Sequence, residues 1–505
     1  MISKIKTCIL MGLEGIIIYV ETDISRGMPG FQIVGLAGAS IKESKERVKS
    51  AIKNSDFDFP ISKIIANLSP ANIKKEGSHL DLPIAIGILK SSNIIEKKID
   101  EYAFLGELSL DGRILEIDGA LPIAISLKKK GVKNLILPYN NRYEAGVIED
   151  INIYPVKNLK ELVNFLNGDI EISPFKRDID LNTSEIDNRI DFKNIKGQKF
   201  AKRALEVAAS GMHNIIMNGP AGSGKTMLAN ALNSILPPLS FEEALEITKI
   251  YSIRGLNKNR EFIKKRPFRS IHHSATIPAL CGGGRNAMPG EISLAHNGIL
   301  FMDEIPEFSN KLIDSLRQPM EDKYIIVSRS DITAKYPSDF MLIATMNPCP
   351  CGNYQTELNC ECSIYEINRY RRKLSSPILD RIDIQIDIDR IEFKELNDRN
   401  EEEDSNSIRK RVKRAHRIQK ERFKDERVFF NSQMGPVLID KYCKLDSNCK
   451  DIMELAFERY KLSARAYNKI ISLARTIADI ENRKRIDITD ITEAIQYRNR
   501  IEGEE

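Results

Sequence analysis

Residues 219–226 read Gly219-Pro220-Ala221-Gly222-Ser223-Gly224-Lys225-Thr226, a complete GxxxxGK[ST] phosphate-binding loop. An apolar run, Asn214-Ile215-Ile216-Met217, precedes it, and Met227-Leu228-Ala229-Asn230-Ala231-Leu232 follows with helical character. Strand, loop and helix in that order separate a P-loop from a chance cluster of glycines. Backbone N–H groups of the turn, with the N-terminus of the following helix, form a site for polyphosphate. Lys225 is expected to reach the β- and γ-phosphates and the Thr226 hydroxyl to hold Mg²⁺. Such a site takes a nucleoside triphosphate.

Two further apolar runs, Gly298–Met302 and Met341–Thr345, alternate with helical patterns. They predict an α/β fold with a parallel sheet covered by helices on both faces. The first run ends in Asp303-Glu304, the carboxyl edge where open α/β sheets bind ligands. Asp303 is expected to hold Mg²⁺ through water and Glu304 to orient or deprotonate the attacking water. The second run ends in Asn347, whose amide can bond the γ-phosphate or the lytic water without adding negative charge.

The chain of 505 residues is long enough for about three domains. Residues 178–188 are rich in Asp and Asn and read as a linker, and beyond about Ile391 the pattern is helical and highly charged. No apolar stretch approaches membrane-spanning length, and the run Ile9–Val20 is broken by Gly12, Glu14 and Gly15, so neither membrane helix nor signal peptide is expected. Eight cysteines without a disulfide-like spread point to the cytoplasm. A net charge of +5 does not by itself imply nucleic acid. The basic charge is concentrated in Arg409–Lys424, which reads either as a solvated helix face or as a DNA-contacting one.

With Ser375-Ser376-Pro377-Ile378-Leu379-Asp380-Arg381-Ile382-Asp383 added, the motif order resembles the AAA+ ATPases, specifically their magnesium-chelatase-like branch. That resemblance implies that Arg381 is an arginine finger acting on a neighbouring subunit's nucleotide. A surface arginine paired with Asp380 or Asp383 is the structural alternative. Arg465, in Leu462-Ser463-Ala464-Arg465, matches sensor 2, and residues 191–198 resemble the adenine-side segment. Nothing resembles a guanine-reading Asn-Lys-x-Asp signature, so ATP is expected.

The segments Arg266–Thr276 and Gly282–Gly298 closely resemble the ComM/YifB family, and the likeness extends over essentially the whole chain. It implies a ring, expected to be a hexamer, that drives DNA branch migration in natural transformation. A chelatase-type or chaperone-like motor acting on a protein partner is the alternative. His272-His273 are read as structural, since adjacent side chains diverge and make a poor shared ligand pair. The implied domains are 1–170, Lon-protease-like; 171–190, linker; 191–392, AAA+ core; and 393–505, helical lid. In the first, the Lon nucleophile position is occupied by His79 and the lysine position by Leu121, with Ser78 adjacent, so a non-proteolytic module is expected.

Residues 324–336 read as two short strands around Ser328-Arg329-Ser330-Asp331, matching the branch's pore-facing hairpin. Arg329 and Lys335 are candidate phosphate contacts, with an ordinary exposed hairpin as the alternative. Finally, Cys349-Pro350-Cys351 and Cys360-Glu361-Cys362 gather four cysteines within fourteen residues. The CxC spacing leaves a structural Zn²⁺ site, a redox-active pair and free thiols all open.

Overall fold

A computed structural model describes residues 2–179, 190–284, 286–329, 332–356, 359–391 and 402–498. The centre of the expected linker, the 392/393 boundary, Arg285, Ser330 and Asp331 lie outside the described residues.

The first part of the chain builds a seven-stranded sheet. Its strand order is Gly30–Val34, Lys63–Ser69, Glu14–Ser25, Ser3–Met11, Tyr102–Phe104, Asn134–Pro138 and Asn152–Val156. Ser3–Met11 and Glu14–Ser25 pair antiparallel in a hairpin whose turn is Gly12-Leu13, with Gly12 at φ 62°. The pairs beyond Ser3–Met11, out to Asn152–Val156, are all parallel. Helix Asp81–Ser91 packs its apolar side chains against this sheet, and Leu82, Ile84, Ile86, Ile88 and Leu89 are wholly buried. A turn at Asp111-Gly112 joins two short strands, Glu107–Leu108 and Ile114–Leu115.

The second sheet has five parallel strands, ordered Phe268–Ile271, Ile299–Met302, Met341–Met346, Ile215–Asn218 and Ile384–Asp387. Parallel strands covered on both faces read as continuous apolar runs, which describes the three inner strands. Alternate residues then enter different cores. Ile215, Met217, Phe301 and Ile343 face helix Lys199–Gly211 and the helical C-terminal region. Ile216, Leu300, Met302 and Leu342 face Leu312, Leu316, Tyr336 and Ile378. The two strands that the sequence pattern does not reveal are the edges. Phe-Arg-Ser-Ile and Ile-Gln-Ile-Asp are only half apolar, and the Gln385 N–H of the second donates to the Tyr497 carbonyl at 2.7 Å beyond the sheet.

Among the described residues that follow, the α-helices are Ser405–Arg422, Pro436–Tyr442, Ser447–Arg459, Ala464–Ile480 and Ile488–Gln496. Ser463 caps the fourth by accepting from the Ala466 N–H, which is why it begins there. The cationic helix is neither wholly solvated nor wholly free. Arg409 donates to the Ser234 carbonyl, Arg411 pairs with Glu206 and Glu403, and Arg422 Nη1 meets Asp479 at 2.6 Å. Lys410, Lys413, Arg417, Lys420 and Lys424 remain exposed, and their spacing of three and four places them on one stripe.

The two sheets are joined through helix Phe241–Ile253. Its Ala244 and Ile247 enter one apolar cluster with Leu121, Ala124 and Leu127 of helix Ala120–Lys129. Ser252 Oγ donates to Glu144 at 2.8 Å, and Arg260 pairs with Asp118 at 2.7 Å. The Gly12 turn also lies against Ala334 of the hairpin 324–337.

Candidate nucleotide site

Strand Ile215–Asn218 delivers the chain to the P-loop, and helix Lys225–Leu232 leaves it. Gly222 and Gly224 adopt φ 80° and 87°, a left-handed conformation that a side chain would strain, and open space lies where their Cβ atoms would be. Gly219 is needed for another reason. A Cβ there would collide with the Ile388 carbonyl oxygen, so the loop approaches the chain after strand Ile384–Asp387 only because Gly219 has none. Ser223 Oγ closes the turn by donating to the Pro220 carbonyl at 2.9 Å.

Lys225 is buried. Its Nζ donates to the carbonyls of Gly219 at 2.7 Å and Pro220 at 2.8 Å, and to Asn347 Oδ1 at 3.2 Å. Burial pulls its ammonium below the ordinary lysine range, while Asp303 and Glu304 oppose that shift. Thr226 Oγ1 donates to Asp303 Oδ2 at 3.1 Å. Asn347 Nδ2 lies 3.4 Å from Glu304 Oε1. The structure thus brings Lys225, Thr226, Asp303, Glu304 and Asn347 into one connected set. Thr226 and Glu304 are exposed and face open space. A hydroxyl and a carboxylate, both hard oxygen donors beside a polyphosphate loop, fit Mg²⁺.

Thr345 belongs to this set and was not a sequence candidate. Its Oγ1 donates to Asp303 and accepts the Glu304 N–H at 2.9 Å, fixing both acids to the neighbouring strand. A hydroxyl inside the run Met-Leu-Ile-Ala-Thr-Met was the one available signal. Glu304 itself sits at φ 51°, unusual for a non-glycine residue, and this turns its carboxylate away from the strand line.

Arg381 and Arg465 are elsewhere. Arg381 Nη2 pairs with Glu321 at 2.7 Å, and Arg465 Nη2 reaches the same carboxylate at 3.5 Å. Arg381 Nη1 also donates to the Pro377 carbonyl at 2.5 Å. Among the described residues neither arginine bonds to the P-loop of its own chain. The sequence did not mark Glu321, because an acid in a helix Arg317–Asp322 of mixed charge carries no signal until the fold is known. Asp383, one of the two aspartates expected as structural partners of Arg381, is instead engaged elsewhere. It accepts the Asn214 N–H at 2.9 Å and pairs with Lys469, while His213 Nδ1 lies 3.5 Å away. Burial pushes its carboxyl up, but Lys469 and His213 together hold it well below the usual carboxylate range.

Strands Tyr324–Arg329 and Ile332–Pro337 form the expected hairpin. Arg329 and Lys335 are exposed, and Lys335 Nζ lies 3.6 Å from the centre of the Tyr324 ring. Tyr336 OH donates to the Ala287 carbonyl at 2.9 Å, anchoring the hairpin base. His272 Nδ1 meets Ser274 Oγ at 2.8 Å, and the ring centres of His272 and His273 are 4.1 Å apart. Among the described residues the one group of metal-ligating side chains is Cys349, Cys351, Cys360 and Cys362.

The first sheet offers no serine–lysine dyad at the expected positions. Ser78 Oγ donates to Glu107, and Leu121 is buried in the apolar core. His79 lies 3.2 Å from the Cys8 carbonyl through Nε2, which must therefore carry the proton. Desolvation pushes His79 down to about 4, against the weaker pull of that bond.

The sheet order, the P-loop and the acids at the strand end define an AAA+ domain of magnesium-chelatase type. Residues 191–396 match the family described as magnesium chelatase, subunit ChlI; residues 20–141 match subunit ChlI of Mg-chelatase, and 402–498 its C-terminal part. The competence protein ComM of Haemophilus influenzae is 40% identical over 494 residues, 97% of this chain and 96% of that one. The YifB protein of Salmonella typhimurium is 39% identical over 500 residues, 98% and 97% of the two chains. A Lon protease of Karelsulcia muelleri is 32% identical over 169 residues, covering 32% of this chain and 19% of that one. The chain belongs to the ComM/YifB family of magnesium-chelatase-like AAA+ proteins. No helix among the described residues is long and apolar enough to cross a membrane.

Proposed function

We propose that this chain is an ATP-hydrolysing, ring-forming motor, hexameric and cytoplasmic, that moves along DNA and drives branch migration. The observation that carries the ATPase reading is the connected set Lys225, Thr226, Asp303, Glu304 and Asn347 around a P-loop with open space above it. In this reading Lys225 exchanges its carbonyl partners for the β- and γ-phosphates. Thr226 and Asp303 hold the Mg²⁺ that accompanies ATP. Glu304 takes a proton from the attacking water, and Asn347 orients that water against the γ-phosphate.

Arg381 and Arg465 do not complete their own chain's site, and both stand on one face with Glu321. Arg381 is assigned to the neighbouring subunit's γ-phosphate, where a cation offsets charge developing in the transition state. Arg465 is assigned to the same junction. Each P-loop is then half of a site, and hydrolysis requires the ring.

The DNA assignment is supported by the near full-length likeness to a competence protein. Exposed cations also support it: Arg329 and Lys335 on the hairpin, and the lysine-rich stripe 410–424. The first sheet, residues 1–170, is assigned to ring assembly or DNA engagement rather than proteolysis. The test is the ATPase rate of the purified chain with no DNA, with single-stranded DNA and with branched DNA, alongside ATP-dependent displacement of a three-stranded branch. Stimulation and displacement are expected. Full ATPase activity indifferent to DNA, with a stable protein partner in pull-downs, would select the protein-remodelling reading instead.

A further inference from the structure

The segment from Cys349 to Ser363 has no described strand or helix, and it is too polar for apolar burial to hold it. Yet it folds back so that four sulfurs lie within 4.8 Å of one another. Cys349 and Cys351 sulfurs are 3.3 Å apart, Cys349 and Cys360 3.7 Å, and Cys351 and Cys360 3.6 Å. A disulfide requires about 2.05 Å, so no pair is bonded. A tetrahedral ion with metal–sulfur distances of about 2.3 Å places its sulfurs about 3.8 Å apart, close to the separations observed. A CxC pair strains chelation of one ion, and the spacing alone leaves zinc, a redox-active pair and free thiols open. The fold nevertheless gathers all four sulfurs, and Gly352 at φ 81° curls the chain directly after Cys351. Tyr354 N–H donates to Cys349 Sγ at 3.3 Å, the kind of bond that stabilises a metal-bound thiolate. Four thiolates select a soft or borderline ion, not Mg²⁺ or Ca²⁺.

The cluster's position gives it a task. Asn347 stands two residues before Cys349 and bonds Lys225 and Glu304. Gly352 packs on the P-loop, since a Cβ there would lie 3.7 Å from Ala221 N and 3.8 Å from Ala221 Cβ. Behind the loop, Arg371 donates to the Pro348 carbonyl at 3.3 Å and covers the Tyr354 ring at 5.2 Å. We infer that Cys349, Cys351, Cys360 and Cys362 bind one Zn²⁺ per chain, and that this ion holds the loop which positions Asn347 and buttresses Ala221 of the nucleotide site. Metal occupancy and nucleotide affinity are therefore coupled, and the coupling must be reciprocal. The metal site stands on the sulfur geometry alone, while the coupling rests on the nucleotide reading above.

The full chain, purified without chelator, is assayed for metal by elemental mass spectrometry and by zinc release on titration with an organomercurial thiol reagent. One zinc per chain is expected, released as the clustered thiols are modified. Cys360→Ser and Cys362→Ser should each lose it, whereas Cys281→Ser, outside the cluster, should keep it. Because these variants can fail to fold, wild-type protein stripped by a chelator provides the second arm. Its affinity for a fluorescent ATP analogue should fall several-fold and recover on adding Zn²⁺ alone. Absence of zinc with a disulfide present, or an iron chromophore in its place, overturns the metal assignment. Stoichiometric zinc whose removal leaves nucleotide affinity unchanged overturns the coupling. Neither result depends on whether DNA is the substrate.

Discussion

Two buried lysines, one in each sheet-containing part of the molecule, make nearly the same contacts and point to opposite roles. Lys75 donates to the Gly35 carbonyl at 3.0 Å and to the Pro70 carbonyl. Lys225 donates to the Gly219 and Pro220 carbonyls. Burial lowers both ammonium groups. The difference lies in what surrounds them. In the segment that follows Lys75 the polar groups satisfy one another: Asp81 is held by Arg47 and Ser44, and Ser78 by Glu107. Around Lys225, Asp303 and Glu304 supply opposing charge, and exposed Thr226 faces space that a ligand can fill. A buried lysine alone does not mark a site; donors and acids left facing open space beside it do.

The contrast can be broken most severely at the ring junction. Arg381→Ala should lower turnover by about 10³-fold or more while nucleotide binding survives, the loss expected for a trans arginine; stopped-flow binding beside steady-state hydrolysis measures both. Glu304→Gln should cost about 10²- to 10⁴-fold in hydrolysis, trapping ATP in an assembled ring, as removal of a general base does. Sedimentation with bound-nucleotide analysis checks it. On the other side of the comparison, Lys75→Met should alter thermal stability but leave hydrolysis per folded chain within about two-fold, because Lys75 donates to backbone carbonyls and touches no reacting group; a loss of hydrolysis per folded chain well beyond two-fold would remove the distinction.

Glu321→Gln takes away the carboxylate shared by Arg381 and Arg465. Glu321 is half-exposed, and an ion pair open to solvent on one side is worth about 1 kcal/mol, so basal hydrolysis should rise by up to about five-fold as the finger is freed. A fall would show that Glu321 positions the finger rather than competing for it. The smallest effect is in pH. Desolvation holds His79 and His416 down to about 4, so both are neutral in the folded chain at neutral pH. Unfolded histidines titrate near 6.5, so between about pH 6.5 and 4 the unfolded chain binds more protons. Stability therefore falls as the pH is lowered through that window, and His79→Gln should flatten part of the slope in denaturant titrations.

Much of the nucleotide site was legible because its parts are local. The P-loop, the Asp303-Glu304 strand end and Asn347 each close an apolar run, and a buried parallel strand announces itself that way. The edge strands Phe268–Ile271 and Ile384–Asp387 were not legible, since polar residues interrupt each run (Arg269 and Ser270 in one, Gln385 and Asp387 in the other). Thr345 and Glu321 could not be singled out, because each acquires its role from a strand or helix distant in sequence. The cationic helix was legible as charge but not as orientation: burial of Ile408, Val412 and Ala415 turns Arg409, Arg411 and Arg422 toward internal partners and leaves the lysine-rich stripe outside. The four cysteines were visible at once, but their convergence depended on a turn at Gly352 that spacing alone did not reveal.

The shared site is tested most directly by mixing two inactive proteins, Lys225→Ala and Arg381→Ala, and measuring ATP hydrolysis. In a head-to-tail ring, random mixing pairs an intact P-loop with an intact finger at about a quarter of the junctions. Hydrolysis should therefore return to as much as that fraction of the wild-type rate. Mixed rings that form, bind ATP and remain inactive would contradict a site completed by the neighbouring subunit.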